Sequence, residues 1–299
     1  MKNDQRLSEQ KRWVERCEAD FAKRLDAVAD ELCRRETIKL IRLAGPTCSG
    51  KTTLANLLRA RFAERGKHLH LISIDDFYYD KEFLHARMAD DPLGRIDYDS
   101  IHTIDLHALK QFVREIFTKE AADCPIFDFV EGRRTGFRRI ESREEDVFVF
   151  EGIQALYPEI TELIASYGPS VGVYIAPQSE IVHKNEVFEP NEIRLLRRLV
   201  RDYRFRGTMP ERTLLLWEGV RQNEEVNIFP YVESCRISID STMPYEIGIL
   251  KPFLCEILPT VEQSSPYRAE AEEILSQLAD VEALPDSLIG SGSLYKEFI

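Results

Sequence analysis

Several features that mark other classes of protein are scarce in this sequence of 299 residues. Its six cysteines are scattered without a CxxC pair, so they indicate neither a cysteine zinc site nor a disulfide framework, and we expect reduced thiols. No apolar run approaches the ~18 residues that cross a bilayer, and the N-terminus is charged, unlike a signal peptide. These absences predict a cytoplasmic protein with no membrane partner.

Positive charge is also in deficit, because 52 Asp and Glu residues outnumber 40 Lys and Arg residues, for a formal net charge of −12. Such a chain is repelled by nucleic-acid backbones, so no nucleic-acid partner is expected, although a local basic patch around a phosphate site is compatible with this charge. A hydrophobic content of 43% is typical of a globular protein, and the length allows one large α/β domain or two smaller ones.

A glycine-rich segment, GPTCSGKTT at residues 45–53, fits the phosphate-binding pattern GxxxxGK[ST]. The apolar run 38–44 before it predicts a buried strand and residues 53–60 predict a helix, in the order that such a loop requires. Backbone N–H groups would hold phosphate oxygens of ATP, Lys51 would contact the β- and γ-phosphates, and Thr52 would ligate Mg²⁺. The predicted cofactor-binding residues are Gly45, Pro46, Thr47, Cys48, Ser49, Gly50, Lys51, Thr52 and Thr53.

Acidic residues follow two further predicted strands. Residues 68–73 predict a second strand that leads into Asp75 and Asp76, and a third strand, 147–150, ends at Glu151. Ligands of open parallel sheets bind at the carboxyl ends of the strands, where carboxylates can hold Mg²⁺ or accept a proton from a substrate hydroxyl. The alternative is that an Asp here only caps a turn. We predict Asp75 as the base, and as metal ligands Thr52, Glu151 and Asp75.

Predicted strands at 171–176 and 235–240 complete an alternation with helices, including one at about 103–118. This alternation is typical of α/β proteins with a mostly parallel sheet and helices on both faces, here a P-loop NTPase fold. The predicted organisation is an amphipathic helix over 1–37, a P-loop kinase domain over 38–262 with a lid at about 190–225, and a helical extension over 263–299. The first helix packs on the domain or binds a partner.

Arginine is concentrated in the segment 194–206, RLLRRLVRDYRFR. Helical spacing places Arg194, Arg198 and Arg201 on one face, with Arg197 beside them. These charges repel one another unless an anion balances them, and a triphosphate would do so in the manner of arginine fingers; the alternative is a solvated helix face. A break at Gly207 before a second helix predicts a mobile lid.

Two other segments invite a functional interpretation. Residues 125–134, PIFDFVEGRR, combine aromatic and basic side chains that suit stacking on a ring and contact with phosphate, but a loop that packs two rings into the core explains them equally well. Residues 81–101 are polar and irregular, and loops of this length in compact domains are usually functional.

The motifs together resemble the uridine kinase and phosphoribulokinase family, most closely its longer bacterial nucleoside kinase branch. The likeness covers residues 38–299 and includes, in order, GPTCSGKTT, SIDDFYYD, PIFDFVEGRR, VFVFEGIQALYP, RLLRRLVRDYRFRG and the closing SLYKEFI. The resemblance implies that Lys51 and Thr52 bind nucleotide phosphates and Mg²⁺, that Asp75 is the base toward a 5′-hydroxyl, and that Glu151 lies near the metal.

The same resemblance implies the substrate contacts. Asp97 would hold ribose hydroxyls, and aromatic residues would form the nucleoside pocket. Arginines of the lid helix would act on the phosphoryl group, so the implied catalytic residues are Asp75, Lys51, Arg198, Arg201 and Arg206. The implied substrate-binding residues are Asp75, Tyr78, Asp97, Phe127, Phe129 and Arg198.

The sequence departs from the uridine–cytidine kinases at two positions. Those enzymes place a histidine that reads the base where Gly132 stands, and an arginine where Thr208 stands. The resemblance as a whole still predicts an ATP- and Mg²⁺-dependent kinase of uridine or a related nucleoside. Because of the two departures, a kinase of a sugar, pantothenate-like or other acceptor is the first alternative. A nucleotide-dependent regulatory ATPase is the second, and the sequence leaves room for a homo-oligomer.

Overall fold

The computed structural model describes residues 2–87 and 100–299, and side chains from residue 5 onward. Within these residues the helices are α1 (Lys2–Cys33), α2 (Lys51–Glu64), α3 (Lys81–Arg87), α4 (Leu106–Thr118), α5 (Pro158–Ala165), α6 (Pro190–Arg206), α7 (Pro210–Asn227), α8 (Phe229–Val232), α9 (Glu246–Ile257) and α10 (Arg268–Gln277). The strands are β1 (Leu40–Ala44), β2 (Leu69–Ser73), β3 (Ala121–Asp128), β4 (Arg133–Glu141), β5 (Val147–Glu151), β6 (Ser170–Ala176), β7 (Ile181–His183), β8 (Glu186–Phe188) and β9 (Ile237–Asp240).

A central sheet of five strands organises the described part of the chain, in the order β2-β5-β1-β6-β9. Every neighbouring pair is parallel. Each of the five strands predicted from the sequence is present within about two residues of its expected bounds. The predicted P-loop α/β class, with helices on both faces of a parallel sheet, is confirmed.

Alternation along the strands divides the core between the two faces of this sheet. In β5, Val147 and Val149 belong to one hydrophobic cluster, whereas Phe148 and Phe150 belong to the other. Successive side chains of a strand point to opposite faces, so a strand that is apolar throughout must be covered on both. Helices α1, α2, α6 and α9 contribute to the first cluster, and α4 and α5 to the second.

Helix α1 joins the core through one stripe of side chains. Val14, Phe21, Leu25 and Leu32 are buried in the first cluster, while Trp13 remains partly exposed. The stripe is therefore used in intramolecular packing. The division of the chain into three domains stays a prediction.

Two antiparallel hairpins were not anticipated. Strands β3 and β4 pair with a register shift between Ile126 and Phe127, and β7 pairs with β8. Segment 125–134 is thus not a simple core loop but comprises the end of β3, the turn at 129–132 and the start of β4. The exposed, arginine-rich sequence of β4 gives little apolar alternation, so it lacked the usual strand signal.

The remaining expectations concern membranes and cysteines. None of the helices in residues 2–87 and 100–299 has the length and apolar character needed to cross a bilayer. All six cysteines, which lie within these ranges, are free thiols.

Candidate active site

The phosphate-binding segment connects β1 to α2 and approaches the backbone of β6 closely. A Cβ at Gly45 would collide with the carbonyl oxygen of Ile175 and with Oγ of Ser49, so only glycine fits there. Cys48 adopts a left-handed conformation with φ 58°, which is uncommon for a residue with a side chain. The Lys51 ammonium group donates hydrogen bonds to the carbonyls of Gly45 at 2.8 Å and Pro46 at 3.0 Å.

Two carboxylates meet beside this loop because β2 and β5 are neighbours. Ser73 of β2 is in register with Glu151 of β5 and donates a hydrogen bond of 3.1 Å to it. Asp75 follows Ser73 by two residues, in the short 3-10 helix Ile74–Phe77. Burial raises the pKa of Asp75 to about 6, and the negative charge of Glu151 adds to this shift. The positive charge of Lys51 acts in the opposite direction. The predicted base, acid and lysine therefore lie within electrostatic range of one another.

Asp76 has a different role from its neighbour Asp75. Its carboxylate accepts a hydrogen bond of 3.2 Å from the backbone N–H of Phe127 in β3. Burial raises the pKa of Asp76, and this hydrogen bond opposes the shift. Asp76 thus attaches the hairpin to the end of β2, whereas Asp75 remains on the side of Lys51 and Glu151.

The donor set at this edge fits Mg²⁺. Glu151 and Asp75 offer carboxylate oxygens, which Mg²⁺ prefers, and the Thr52 hydroxyl stands at the first turn of α2. Burial raises the pKa of Glu151, an effect that Lys51 counters, so both acids are held at a cost that a nearby cation would reduce. P-loop kinases use a nucleoside triphosphate with Mg²⁺, and these residues suit that pair of ligands.

Three aromatic rings form a cluster where the hairpin meets the end of β2. The ring centroids of Tyr78 and Phe127 are 5.6 Å apart, and Phe129 lies 5.2 Å from Phe127 and 6.1 Å from Tyr78. Tyr78 and Phe127 are buried, but Phe129 is 64% exposed. The cluster therefore combines two core rings with one ring open to a ligand. The predicted contact Asp97 lies outside the described residues.

Gly132 is set by the geometry of the hairpin turn. Its φ is 68°, and its N–H group donates a hydrogen bond of 2.7 Å to the carbonyl of Asp128. A Cβ at this position would lie 3.0 Å from Cβ of Lys81. A histidine here would be strained by its backbone and crowded by its neighbour, so this hairpin cannot present an imidazole at position 132 without rearranging.

Two arginines in the first half of helix α6 are buried, and we call Arg194 and Arg197 the upstream pair. Arg194 forms an ion pair with Glu224 and donates a hydrogen bond of 3.0 Å to the Thr47 carbonyl. Arg197 pairs with Glu246 at 2.7 Å and donates a hydrogen bond of 3.1 Å to the Cys48 carbonyl. Because buried glutamates balance the upstream pair, the expectation that a triphosphate balances the whole segment is wrong for these two residues.

Three further arginines of α6, Arg198, Arg201 and Arg206, form what we call the downstream set. All three contact Asp202, at 3.2, 2.7 and 3.6 Å respectively. Arg201 and Arg206 also lie within electrostatic range of Cys48 in the phosphate loop. One carboxylate cannot neutralise three guanidinium groups, so this end of the helix carries surplus positive charge beside the loop.

The segment 293–299 packs against the phosphate loop, which sequence reasoning missed. Leu294 fills the space over Gly50, and Glu297 accepts hydrogen bonds from the Thr53 hydroxyl at 2.8 Å and the Thr53 N–H at 3.3 Å. Thr53 is among the predicted nucleotide ligands. A nucleotide phosphate bound at Thr53 as predicted would therefore compete with the Glu297 carboxylate for the same donor groups.

Aromatic and polar contacts hold this segment in place. The Arg197 guanidinium lies 5.3 Å from the ring centroid of Tyr295 and 5.0 Å from that of Phe298. The Tyr295 hydroxyl donates to Glu246, and the Ser293 hydroxyl donates to Glu18 of α1. The first and last elements of the fold thus meet behind the phosphate loop.

Known proteins with similar sequences are kinases by name. Uridine-cytidine kinase C from Dictyostelium discoideum is 27% identical over 128 residues, which make up 43% of this chain and 26% of that protein. A uridine kinase from Lactobacillus johnsonii is 27% identical over 173 residues, which are 58% of this chain and 71% of that protein. The chain therefore spans about a quarter of the first relative and most of the second.

The fold also matches a solved structure. A crystal structure described as that of a candidate fructose transport system kinase from Silicibacter sp. TM1040 superposes with a TM-score of 0.52 and 21% identity. The superposition covers 72% of this chain and 97% of that chain. A family model described as phosphoribulokinase / uridine kinase matches residues 40–245, from the start of β1 to the start of α9. The chain belongs to the phosphoribulokinase / uridine kinase family.

Proposed function

We propose that this protein is an ATP- and Mg²⁺-dependent kinase that transfers the γ-phosphoryl group to the 5′-hydroxyl of a nucleoside, with uridine as the first choice. The observation that carries the proposal is the convergence of Asp75, Glu151 and Lys51 beside the phosphate loop. This arrangement supplies a base, a metal-binding acid and a phosphate-binding cation at the edge of the sheet where ligands bind. Family membership supports phosphotransfer, and the relatives named uridine kinases support the acceptor.

Each of these side chains has a defined task in the transfer. Asp75 accepts the proton of the attacking hydroxyl, and its raised pKa of about 6 makes it a stronger base than an ordinary aspartate while leaving it mostly ionised at neutral pH. Lys51 turns from the loop carbonyls to the transferring phosphoryl group. The downstream arginines stabilise the negative charge that this group carries. When bound, Mg²⁺ neutralises charge on the β- and γ-phosphates.

The acceptor pocket of the proposal lies between Asp75 and the aromatic cluster. The exposed Phe129 ring can stack on a planar base, while Tyr78 and Phe127 support it from the core. Asp97 is proposed to hold the ribose. Because position 132 provides no imidazole, recognition of the base rests on stacking and on other groups, and we expect weaker discrimination among bases than a histidine would give.

Substitution of Asp75 by Asn tests the proposal directly. Removal of a general base typically lowers kcat by about 10²–10⁴-fold, and we expect that loss with uridine as acceptor. Nucleotide binding, followed with a nonhydrolysable ATP analogue, should persist. The matched control is Asp76→Asn, which weakens the anchor of the hairpin and should affect KM and stability more than kcat.

The pH dependence separates a base from a structural acid. Ionised Asp75 is the active form, so kcat/KM of the wild type should fall tenfold per unit as pH drops below about 6. The raised pKa means that folding disfavours the ionised carboxylate, so Asp75→Asn should be at least as stable as the wild type above pH 6. Unchanged turnover in Asp75→Asn would remove the proposed base.

A thermal-shift panel of nucleosides, sugars and pantothenate distinguishes the acceptor, and stabilisation by a sugar alone would exclude a nucleoside.

A further inference from the structure

A cluster of three possible metal ligands lies at the opposite edge of the sheet, where the phosphoryl-transfer residues are absent. Nε2 of His70 is 2.8 Å from Oδ2 of Asp146, and Nδ1 of His68 is 3.4 Å from Oδ1 of the same carboxylate. One ligand atom from each of the three residues lies within 4.8 Å of the other two. Two imidazoles and one carboxylate are a donor set that divalent transition metals favour.

The fold brings these residues together at the starts of two neighbouring strands. Leu69 of β2 is in register with Val147 of β5, so His68 and Asp146 precede paired positions. A hydrogen bond of 3.0 Å from Val147 N–H to the His68 carbonyl fixes this alignment. His68 and His70 are two residues apart and therefore point to the same face of the strand. His70 thus lies within β2, and His68 and Asp146 immediately precede β2 and β5.

The Asp146 carboxylate provides an independent indication of a ligand. Its side chain is only 1% exposed, yet Oδ1 accepts no hydrogen bond from the described residues. The other oxygen, Oδ2, is satisfied by His70 and by the N–H group of Arg143 at 3.1 Å. A buried carboxylate oxygen without a hydrogen bond is costly, and the contact of Oδ1 with Nδ1 of His68 at 3.4 Å is an ion pair only when that imidazole is protonated.

We propose that His68, His70 and Asp146 form a binding site for a divalent transition metal such as Zn²⁺, with water as the fourth ligand. Ligand atoms about 2.0–2.1 Å from a tetrahedral zinc are roughly 3.3 Å apart, which is close to the 3.4 Å between Nδ1 of His68 and Oδ1 of Asp146. The hydrogen bond of 2.8 Å between His70 and Oδ2 would give way to the metal–nitrogen bond of His70. The His68 side chain is 63% exposed, so solvent reaches the fourth position. A metal on Oδ1 would compensate this buried oxygen for the hydrogen bond that it lacks.

The surroundings hold the ligands in position. The His70 ring stacks on Phe148 with 4.8 Å between centroids, and the Arg143 N–H orients the carboxylate. Arg138 is a nearby cation that opposes metal binding, but its guanidinium is engaged with the Leu71 carbonyl at 3.0 Å. A bound metal would join β2 to β5 at their starts, and we expect it to stabilise the fold without entering the phosphoryl-transfer step.

Titration of the chelator-treated full chain with Zn²⁺ alone tests the site. By calorimetry we expect one site per chain, and by thermal unfolding a Tm that rises with Zn²⁺ concentration. Because His68 is exposed, His68→Ala should fold normally and lower the affinity at least about tenfold, as loss of even outer-shell groups does. His107→Ala, which removes an exposed imidazole from α4, should bind Zn²⁺ like the wild type.

The free cysteines require a second readout, since thiolates also bind zinc. Co²⁺ bound at the proposed site should show d–d absorption without a thiolate charge-transfer band. Equal Zn²⁺ affinity in the wild type and in the His68→Ala/His70→Ala double variant would overturn the proposal, as would a thiolate band that accounts for all bound Co²⁺. Absence of measurable binding by the wild type would overturn it as well.

Discussion

The upstream pair and the downstream set lie on one helix yet differ in how their charge is balanced. Arg194 and Arg197 each pair with a buried glutamate and donate to a carbonyl of the phosphate loop. The partner of Arg194, Glu224, also pairs with Arg221, which has Glu225 as a second partner. Arg198, Arg201 and Arg206 share Asp202. An arginine whose charge is fully matched inside the protein can only support structure, whereas surplus charge beside the loop can attract an anionic ligand. Charge balance, rather than residue type, separates the two groups.

The largest effect that would test this comparison is expected at the upstream pair. Arg197→Met leaves the Glu246 carboxylate buried without its cation, and removing one partner of a buried ion pair typically costs about 3–5 kcal/mol. The free energy of unfolding, measured by urea denaturation, should fall by that amount.

The double variant Arg197→Met/Glu246→Gln is the control for the stranded charge. It should recover a large part of the loss, because no uncompensated carboxylate remains. If Arg197→Met unfolds at the same urea concentration as the wild type, the upstream pair is not a structural element.

An intermediate effect is expected at the downstream set, and it should appear in kcat rather than in the free energy of unfolding. Arg201→Gln removes one guanidinium from the surplus charge, and loss of an electrostatic contact to a transferring group commonly lowers kcat about 10²–10³-fold. Unfolding should change little, since Arg198 and Arg206 continue to pair with Asp202.

Arg204→Gln is the matched control for Arg201→Gln. Arg204 lies on the same helix, but its guanidinium packs 4.6 Å from the ring centroid of Phe253 and away from Asp202. The kcat of Arg204→Gln should stay near that of the wild type. A large loss of stability in Arg201→Gln with unchanged kcat would erase the distinction between the two groups.

The smallest effect concerns the negative charge that competes with a nucleotide. Glu297→Gln weakens the acceptor on Thr53 and removes an anion within electrostatic range of Arg201. The dissociation constant for a nonhydrolysable ATP analogue should therefore fall about threefold to tenfold, which corresponds to a hydrogen bond of modest net strength. Equilibrium binding followed by fluorescence measures this change.

Glu233→Gln serves as the control for removing one exposed negative charge elsewhere. It should leave the dissociation constant unchanged. Weaker nucleotide binding by Glu297→Gln would mean that this carboxylate supports the nucleotide site instead of competing for it.

The sequence carried enough information for the sheet, the loop and the paired acids. Continuous apolar runs locate the strands, and the carboxyl ends of parallel strands share one edge, so Asp75 and Glu151 could be placed near Lys51 without coordinates. The sequence analysis chose Asp75 over Asp76 as the base, but the contact that sets Asp76 apart needed the structure, because Asp76 and Phe127 are 51 positions apart.

The glutamates that pair with the upstream arginines were harder to predict than the residues of the site. Glu224 lies 30 residues after Arg194, and Glu246 lies 49 residues after Arg197, so no local spacing rule connects them. Asp202 was the accessible signal, since it follows Arg198 by four residues on the helix. Contacts made through the tertiary fold depend on topology, which residue patterns describe only in part.

The docking of segment 293–299 also has a consequence for the order of events at the ribosome. The Thr53–Glu297 contact joins residues 244 positions apart, and the Glu18–Ser293 contact spans 275 positions. Synthesis proceeds from the N-terminus at about 5–20 residues per second, so the phosphate loop is translated many seconds before Glu297 exists. During that interval the donor groups of Thr53 have no Glu297 carboxylate to bind. The contact between Thr53 and Glu297 is therefore among the last that the growing chain can form.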